Sequence, residues 1–197
     1  MIQGTHNSGT GGELVWWLHP FAPILHATSR CQDKSIARQL HDGVRLFNLQ
    51  ITLYRGHWHF SHGLCIYKER VEDALELMRA TATVLSPIYF QLYLDKNFFC
   101  GQARKEFTEF VERVKKDFCT PCFTMLSAWI EGTDIYPHKD EKKIDKRENY
   151  WTKAWARTQA RNIIDRLPLP LHHAKAFNAR YREQCTGNYL MLDFYNI

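Results

Sequence analysis

The apolar pattern of this chain switches period several times, and that alternation constrains the fold more than any other feature. Short extended stretches read as strands: Met1 to Gly4, Val44 to Leu53, His57 to Phe60, and Ile88 to Leu94 with its β-branched and aromatic residues. Between them the apolar residues take helical spacing. Asp33 or Ser35 can cap a helix through about Asp42, with Ile36 and Leu40 on one face and Gly43 ending it. Val71, Ala74, Leu75, Met78 and Ala82 mark a helix over Glu69 to Leu85, stopped by Ser86-Pro87. Phe107, Phe110, Val111 and Val114 give Gln102 to Asp117 an inward face. Further helices over Trp151 to Asp165 and over 172–184 lead to a final strand at 189–195. Strands alternating with helices predict an α/β fold with a mostly parallel sheet.

With 197 residues, 45% of them hydrophobic, the chain can bury one good core, and it reads as a single domain over 1–197. No apolar run approaches the roughly 20 residues of a membrane span, and the sequence shows no signal peptide. A cytoplasmic or peripheral membrane location is therefore expected. The net charge of +5 favours anionic partners, and much of it comes from the basic segment 138–161. That segment reads first as a solvated face, and no nucleic-acid partner is expected. The cysteines are scattered, as buried free thiols of a reducing compartment would be, and Cys119-Thr120-Pro121-Cys122 reads as structural.

Two histidines sit in turns of small residues, each after an extended segment: His6 in Gly4-Thr5-His6-Asn7-Ser8-Gly9-Thr10 and His62 in Ser61-His62-Gly63. Such a turn leaves an imidazole open to a ligand. Two imidazoles are what acid–base chemistry on a phosphodiester needs, one taking a proton from the attacking oxygen and one protonating the leaving oxygen.

The order of motifs extends this. Gly4-Thr5-His6-Asn7-Ser8, then Ser35-Ile36-Ala37-Arg38-Gln39-Leu40, then Gly43-Val44-Arg45-Leu46-Phe47-Asn48, then His62-Gly63, resembles the X-domain of the phosphatidylinositol-specific phospholipases C. Asn188 to Asn196, with Asp193, looks like the closing strand of that family. The likeness covers residues 1–100 and 186–197. It implies a TIM-type (β/α) barrel, and the length of this chain makes that a compact or distorted one, irregular through 120–150. It also implies roles: His6 as general base, His62 as general acid, and Asp193 as the carboxylate orienting His6.

The charge-stabilising residues depart from the family. Its arginine or carboxylates are replaced here by Asn48 and Gln50, which with Asn7 and Tyr93 are the candidate substrate-binding residues. Strand alternation puts 46, 48 and 50 on one face, so Arg45 faces away. Calcium wants several oxygens including carboxylates, so calcium is disfavoured and no cofactor is expected. Asp95 remains near by strand position, and Lys96 or Lys68 could supply a cation. Trp16-Trp17 either caps the core or forms an interfacial loop touching a membrane transiently.

Two functions stand against each other. One is a phospholipase C-like phosphodiesterase that cleaves a phosphoinositide or related diester by paired-histidine catalysis. The other is a catalytically weakened relative that binds phospholipid headgroups or a protein partner. A calcium-dependent enzyme using Asp95 is a third.

Overall fold

The structure, a computed structural model, describes residues 2–130, 133–137, 144–145, 174, 178, 189–192 and 195. Nine strands form its sheet: β1 (Ile2–Thr5), β2 (Leu46–Tyr54), β3 (His57–His62), β4 (Cys65–Arg70), β5 (Ile88–Leu94), β6 (Phe123–Ile130), β7 (Thr133–Pro137), β8 (Ile144–Asp145) and β9 (Tyr189–Leu192). Four α-helices are described from end to end: α1 (Ala22–Ser29), α2 (Ile36–His41), α3 (Val71–Thr81) and α4 (Arg104–Asp117). Short 3-10 helices cover Ser8–Gly11 and Trp16–Phe21.

The main path through the sheet is β7-β6-β5-β2-β1-β9-β8. Its inner ladders, from β6 through to β8, are parallel, in line with the strand–helix alternation. Three others are antiparallel: β2 with β3, β3 with β4, and β6 with β7. Among the described residues no ladder joins β7 to β8. The described residues thus form a mixed α/β sheet, unclosed there and partly antiparallel, and do not show the closed TIM-type barrel expected.

The antiparallel strands lie where the sequence pattern carries least signal. β4 overlaps the start of the helix expected over Glu69 to Leu85, and its second half, Lys68-Glu69-Arg70, is polar. β6 and β7 fall in the segment expected to be irregular. Yet β6 is buried along most of its length and pairs β5 from Ile88↔Phe123 to Leu94↔Ile130.

Elsewhere the local chemistry works as read. The Ser35 hydroxyl accepts from the Arg38 N–H and caps α2. α3 buries Val71, Ala74, Leu75 and Met78, and ends at Thr81 because Thr83 and Ser86 exchange backbone hydrogen bonds in a tight turn. α4 buries Phe107, Phe110, Val111 and Val114. Trp58 stacks on Phe110 at 5.0 Å between ring centroids. The helix expected over 151–165 lies outside the described residues, as does most of that over 172–184, of which Ala174 and Asn178 are helical and buried.

Strand alternation splits β2 cleanly. Phe47, Leu49 and Ile51 enter the large core shared with the helices, each burial contributing about 1.5–3 kcal/mol. Leu46 faces the other way, into a small cluster with Leu126, Ile2 and Tyr89. Asn48 and Gln50 continue that second face.

Of the six cysteines, Cys31, Cys65, Cys100, Cys119 and Cys122 are described, and all are free thiols. Burial pushes the Cys119 thiol up, the opposite of what a redox-active CxxC pair requires.

Candidate active site

The site begins where β1 ends. Thr5 is level with Phe47 of β2, and the next backbone N–H, from His6, donates to the Leu192 carbonyl of β9 at 3.0 Å. Asn7 then turns left-handed (φ 46°), and its N–H donates to Asn48 Oδ1 at 3.3 Å. Gly9 is required beside it: a Cβ there would run into the Phe60 ring.

A network of amides and hydroxyls holds this turn. Gln39 Nε2 donates to the carbonyls of Ser8 (2.8 Å) and Lys34 (2.7 Å), and its Oε1 accepts from Thr5 Oγ1 at 2.8 Å. Thr10 Oγ1 donates to the Asn7 carbonyl (2.8 Å) and accepts the N–H groups of Cys31 and Gln32, both at 3.0 Å.

The fully buried Gln32 does most to position His6. Its Nε2 donates to the carbonyls of His6 at 2.9 Å and Leu192 at 2.7 Å, tying β1 to β9 at the site. Sequence reading missed this role. The one available signal was an amide standing just before the cap of α2, which does not say where the amide points.

His62 arrives by a different route from the one its strand-end position suggested. β2 runs beyond β1, turns at Arg55-Gly56 (φ 50° and 78°), and returns as antiparallel β3 with Phe60 level with Ile51. The end of β3 therefore descends towards the level at which β1 stops. There His62 Nδ1 donates to the Ser29 carbonyl at 2.6 Å. That bond commits Nδ1–H to the protein and leaves Nε2 as the nitrogen that exchanges a proton. Cys31 Sγ sits between the two turns, 3.7 Å from His62 Nδ1 and 3.5 Å from Asn7 Nδ2.

The remaining candidates line the sheet face beside these turns. Asn48 is level with Gln91, and Gln50 with Tyr93. The Tyr93 ring lies 5.4 Å from that of Trp129. Gln91 Nε2 donates to Ser127 Oγ at 3.0 Å, extending the polar face to β6. Gln50 Nε2 donates to Asp95 Oδ1 at 2.8 Å, and the Gly63 N–H donates to Asp95 Oδ2 at 3.0 Å. Burial pushes the Asp95 carboxyl above the usual range, against the lowering effect of Gln50, of the His62 charge and of the Gly63 N–H.

The three basic residues considered as stand-ins are placed as follows. Arg45 is stapled at the start of β2, donating to Ser86 Oγ (2.6 Å) and to the Leu40 and Val44 carbonyls. Lys68 bonds Glu13 on the surface at 3.4 Å. Lys96 is exposed beside Asp95. Asp193 lies outside the described residues; its neighbour Leu192 is the residue that receives the His6 N–H.

His6, Asn7, His62, Asn48, Gln50 and Tyr93 thus gather at one end of the parallel strands. The Trp16-Trp17 pair divides. Trp16 is 72% exposed, whereas Trp17 Nε1 donates to Tyr54 Oη at 3.0 Å and its ring meets Phe99 edge-on at 4.7 Å.

No protein-family model matches the sequence, and no curated protein matches it either. The fold is similar to that of the bacterial phosphatidylinositol-specific phospholipases C. A variant of the enzyme from Staphylococcus aureus superposes with a TM-score of 0.62 at 13% identity, over 98% of this chain and 85% of the other. The enzyme from Listeria monocytogenes gives 0.60 at 14% identity, over 98% and 87%.

Proposed function

We propose that the chain is a phospholipase C-like phosphodiesterase acting by paired-histidine acid–base catalysis on a phosphoinositide or a related diester with a neighbouring hydroxyl. The observation that carries this reading is the approach of the two histidine turns, with His62 Nδ1–H fixed on Ser29 and Nε2 left for proton transfer. His6 takes the proton of the attacking hydroxyl as the new O–P bond forms. The P–O bond to the leaving group breaks, and that oxygen takes the proton from His62 Nε2. Asp193 is assigned the orientation of His6. Asn7, Asn48, Gln50 and Tyr93 are assigned to the substrate, and Asn7 Oδ1, buried without a hydrogen-bond partner among the described residues, offers an acceptor for a donor brought by a ligand.

The reaction is proposed to proceed without a tightly held metal. Asn48 Oδ1 is taken by the Asn7 N–H, and both Asp95 oxygens are taken by Gln50 and Gly63. This leaves a poor donor set for calcium, which wants several oxygens including carboxylates. Turnover of phosphatidylinositol vesicles should therefore persist in excess chelator. Strict calcium dependence would overturn the metal-free reading. The same two neutral amides favour the second reading, a weakened relative that binds headgroups. Complete absence of turnover under both conditions would select it.

The lipid surface is proposed to meet an apolar rim beside the site. Trp16, Phe21 and Ile24 are exposed on one segment, Leu64 follows the His62 turn, and Phe98 and Phe99 follow β5. Asn97 Nδ2 donates to the Gly63 carbonyl at 2.8 Å and Phe99 packs on Trp17, so the three segments adjoin. No described helix is long and apolar enough to cross a membrane. Trp16→Ala with Phe98→Ala should weaken vesicle binding roughly tenfold or more, since each ring forfeits on the order of 1 kcal/mol of interfacial burial. Cleavage of a soluble diester should not change. Unaltered co-sedimentation with vesicles would remove the rim from the proposal.

A further inference from the structure

Asp95 holds the His62–Gly63 turn through the Gly63 N–H, while Ser29 holds the His62 ring. β5 ends one residue earlier, and the Asp95 N–H is fixed to the Ile51 carbonyl at 2.8 Å, so its buried carboxylate projects from a rigid point. Both oxygens accept hydrogen bonds from N–H donors, the pattern of an ionised carboxylate. Two residues on, Asn97 Nδ2 donates to the carbonyls of Gly63 (2.8 Å) and Cys65 (3.3 Å). The His62–Gly63 turn is therefore seated on the segment that leaves β5.

The partner of Asp95 on β2 is the other half of the argument. Gln50 supplies a hydrogen bond but no charge. An arginine or lysine in its place would neutralise the carboxylate. With a neutral amide there, the negative charge of Asp95 remains available to the neighbouring imidazole.

We propose that Asp95 is the positioning residue of the acid: it fixes the His62–Gly63 turn and supplies the negative charge that keeps the proton on the His62 ring until the leaving oxygen takes it. This rests on the reading of His62 as the acid. Among the described residues, the other groups that touch the ring or its turn are a carbonyl, thiols and the Asn97 amide. The end of α1 contributes the Ser29 carbonyl, the segment after it the Cys31 thiol, and β4 contributes Cys65, whose thiol burial pushes up. Lys96 points into solvent beside Asp95, so salt screens it more than the buried carboxylate.

The test is an NMR titration of the histidine rings in the full chain, for wild type and for Asp95→Asn, with His62 assigned from the His62→Ala spectrum. The asparagine keeps the shape and can still accept from Gly63, so the turn should survive. Loss of the charge should lower the His62 pKa by roughly half a unit or more while leaving His6 in place. Should Asp95→Asn fail to fold, Asp95→Ser, which removes the charge and keeps a small acceptor, takes its place with the same expected shift. A His62 titration unmoved in the folded variants overturns the proposal. Where wild type cleaves vesicles, the alkaline limb of kcat should move to lower pH with the His62 pKa, because the acid acts only while protonated. If wild type cleaves nothing, the enzyme reading fails, yet the titration still decides whether Asp95 charges the ring.

Discussion

His6→Ala and His62→Ala should each lower kcat on phosphatidylinositol vesicles by roughly 100-fold or more, about 2.7 kcal/mol of transition-state stabilisation. The losses should be distinguishable. His6→Ala removes the group that must be neutral, so the acidic limb of the pH profile should flatten. His62→Ala removes the group that must be protonated, so the alkaline limb should flatten instead. Neither change should unfold the chain, because both rings are partly exposed and the turns are held by Gln39, Thr10 and Asp95. A headgroup-binding relic behaves otherwise: it keeps its affinity in both variants and turns over nothing. Wild-type turnover that survives loss of both rings would sink the paired-histidine mechanism.

Gln32→Ala should destabilise the fold by about 1–3 kcal/mol and lower activity beyond what stability explains. The side chain is fully buried, and its removal strands the His6 carbonyl, at about 1–3 kcal/mol for a carbonyl left without a donor, while the Leu192 carbonyl keeps only the His6 N–H. Gln32→Glu should be worse, since a carboxylate oxygen would face those two carbonyls. The damage falls on the junction of β1 and β9, so kcat should drop more than KM rises. Denaturant unfolding and vesicle kinetics on the same preparations check this. A variant of wild-type stability and activity would show that water replaces the amide there.

Much of the site was legible one residue at a time. Alternation along β2 correctly separated Asn48 and Gln50 from Phe47 and Leu49, and it excluded Arg45, which the structure pins at the far end of its strand. Ser35 as a cap and the inward faces of α3 and α4 follow from local rules, and local rules hold where one face is wet and the other dry. The returning hairpin was not legible. β4 has a polar half, and whether Cys65–Arg70 pairs with β3 or begins a helix depends on a neighbour that lies on another strand. The segment 120–150 misled for a related reason: β6 is buried along most of its length, and a short run of that kind has no periodicity to report.

The sequence by itself determined the alternating α/β character, the two histidine turns and the neutral amides at 48 and 50, because each depends on side-chain type and short-range spacing. Only the tertiary structure decided that His62 reaches the end of β1 by way of an antiparallel return. Only it showed that Gln32 ties the His6 carbonyl to β9, and that Asp95 sits between Gln50 and the His62 turn. Hydrogen bonds between residues tens of positions apart depend on register and on the path of the chain, and neither is written in local composition.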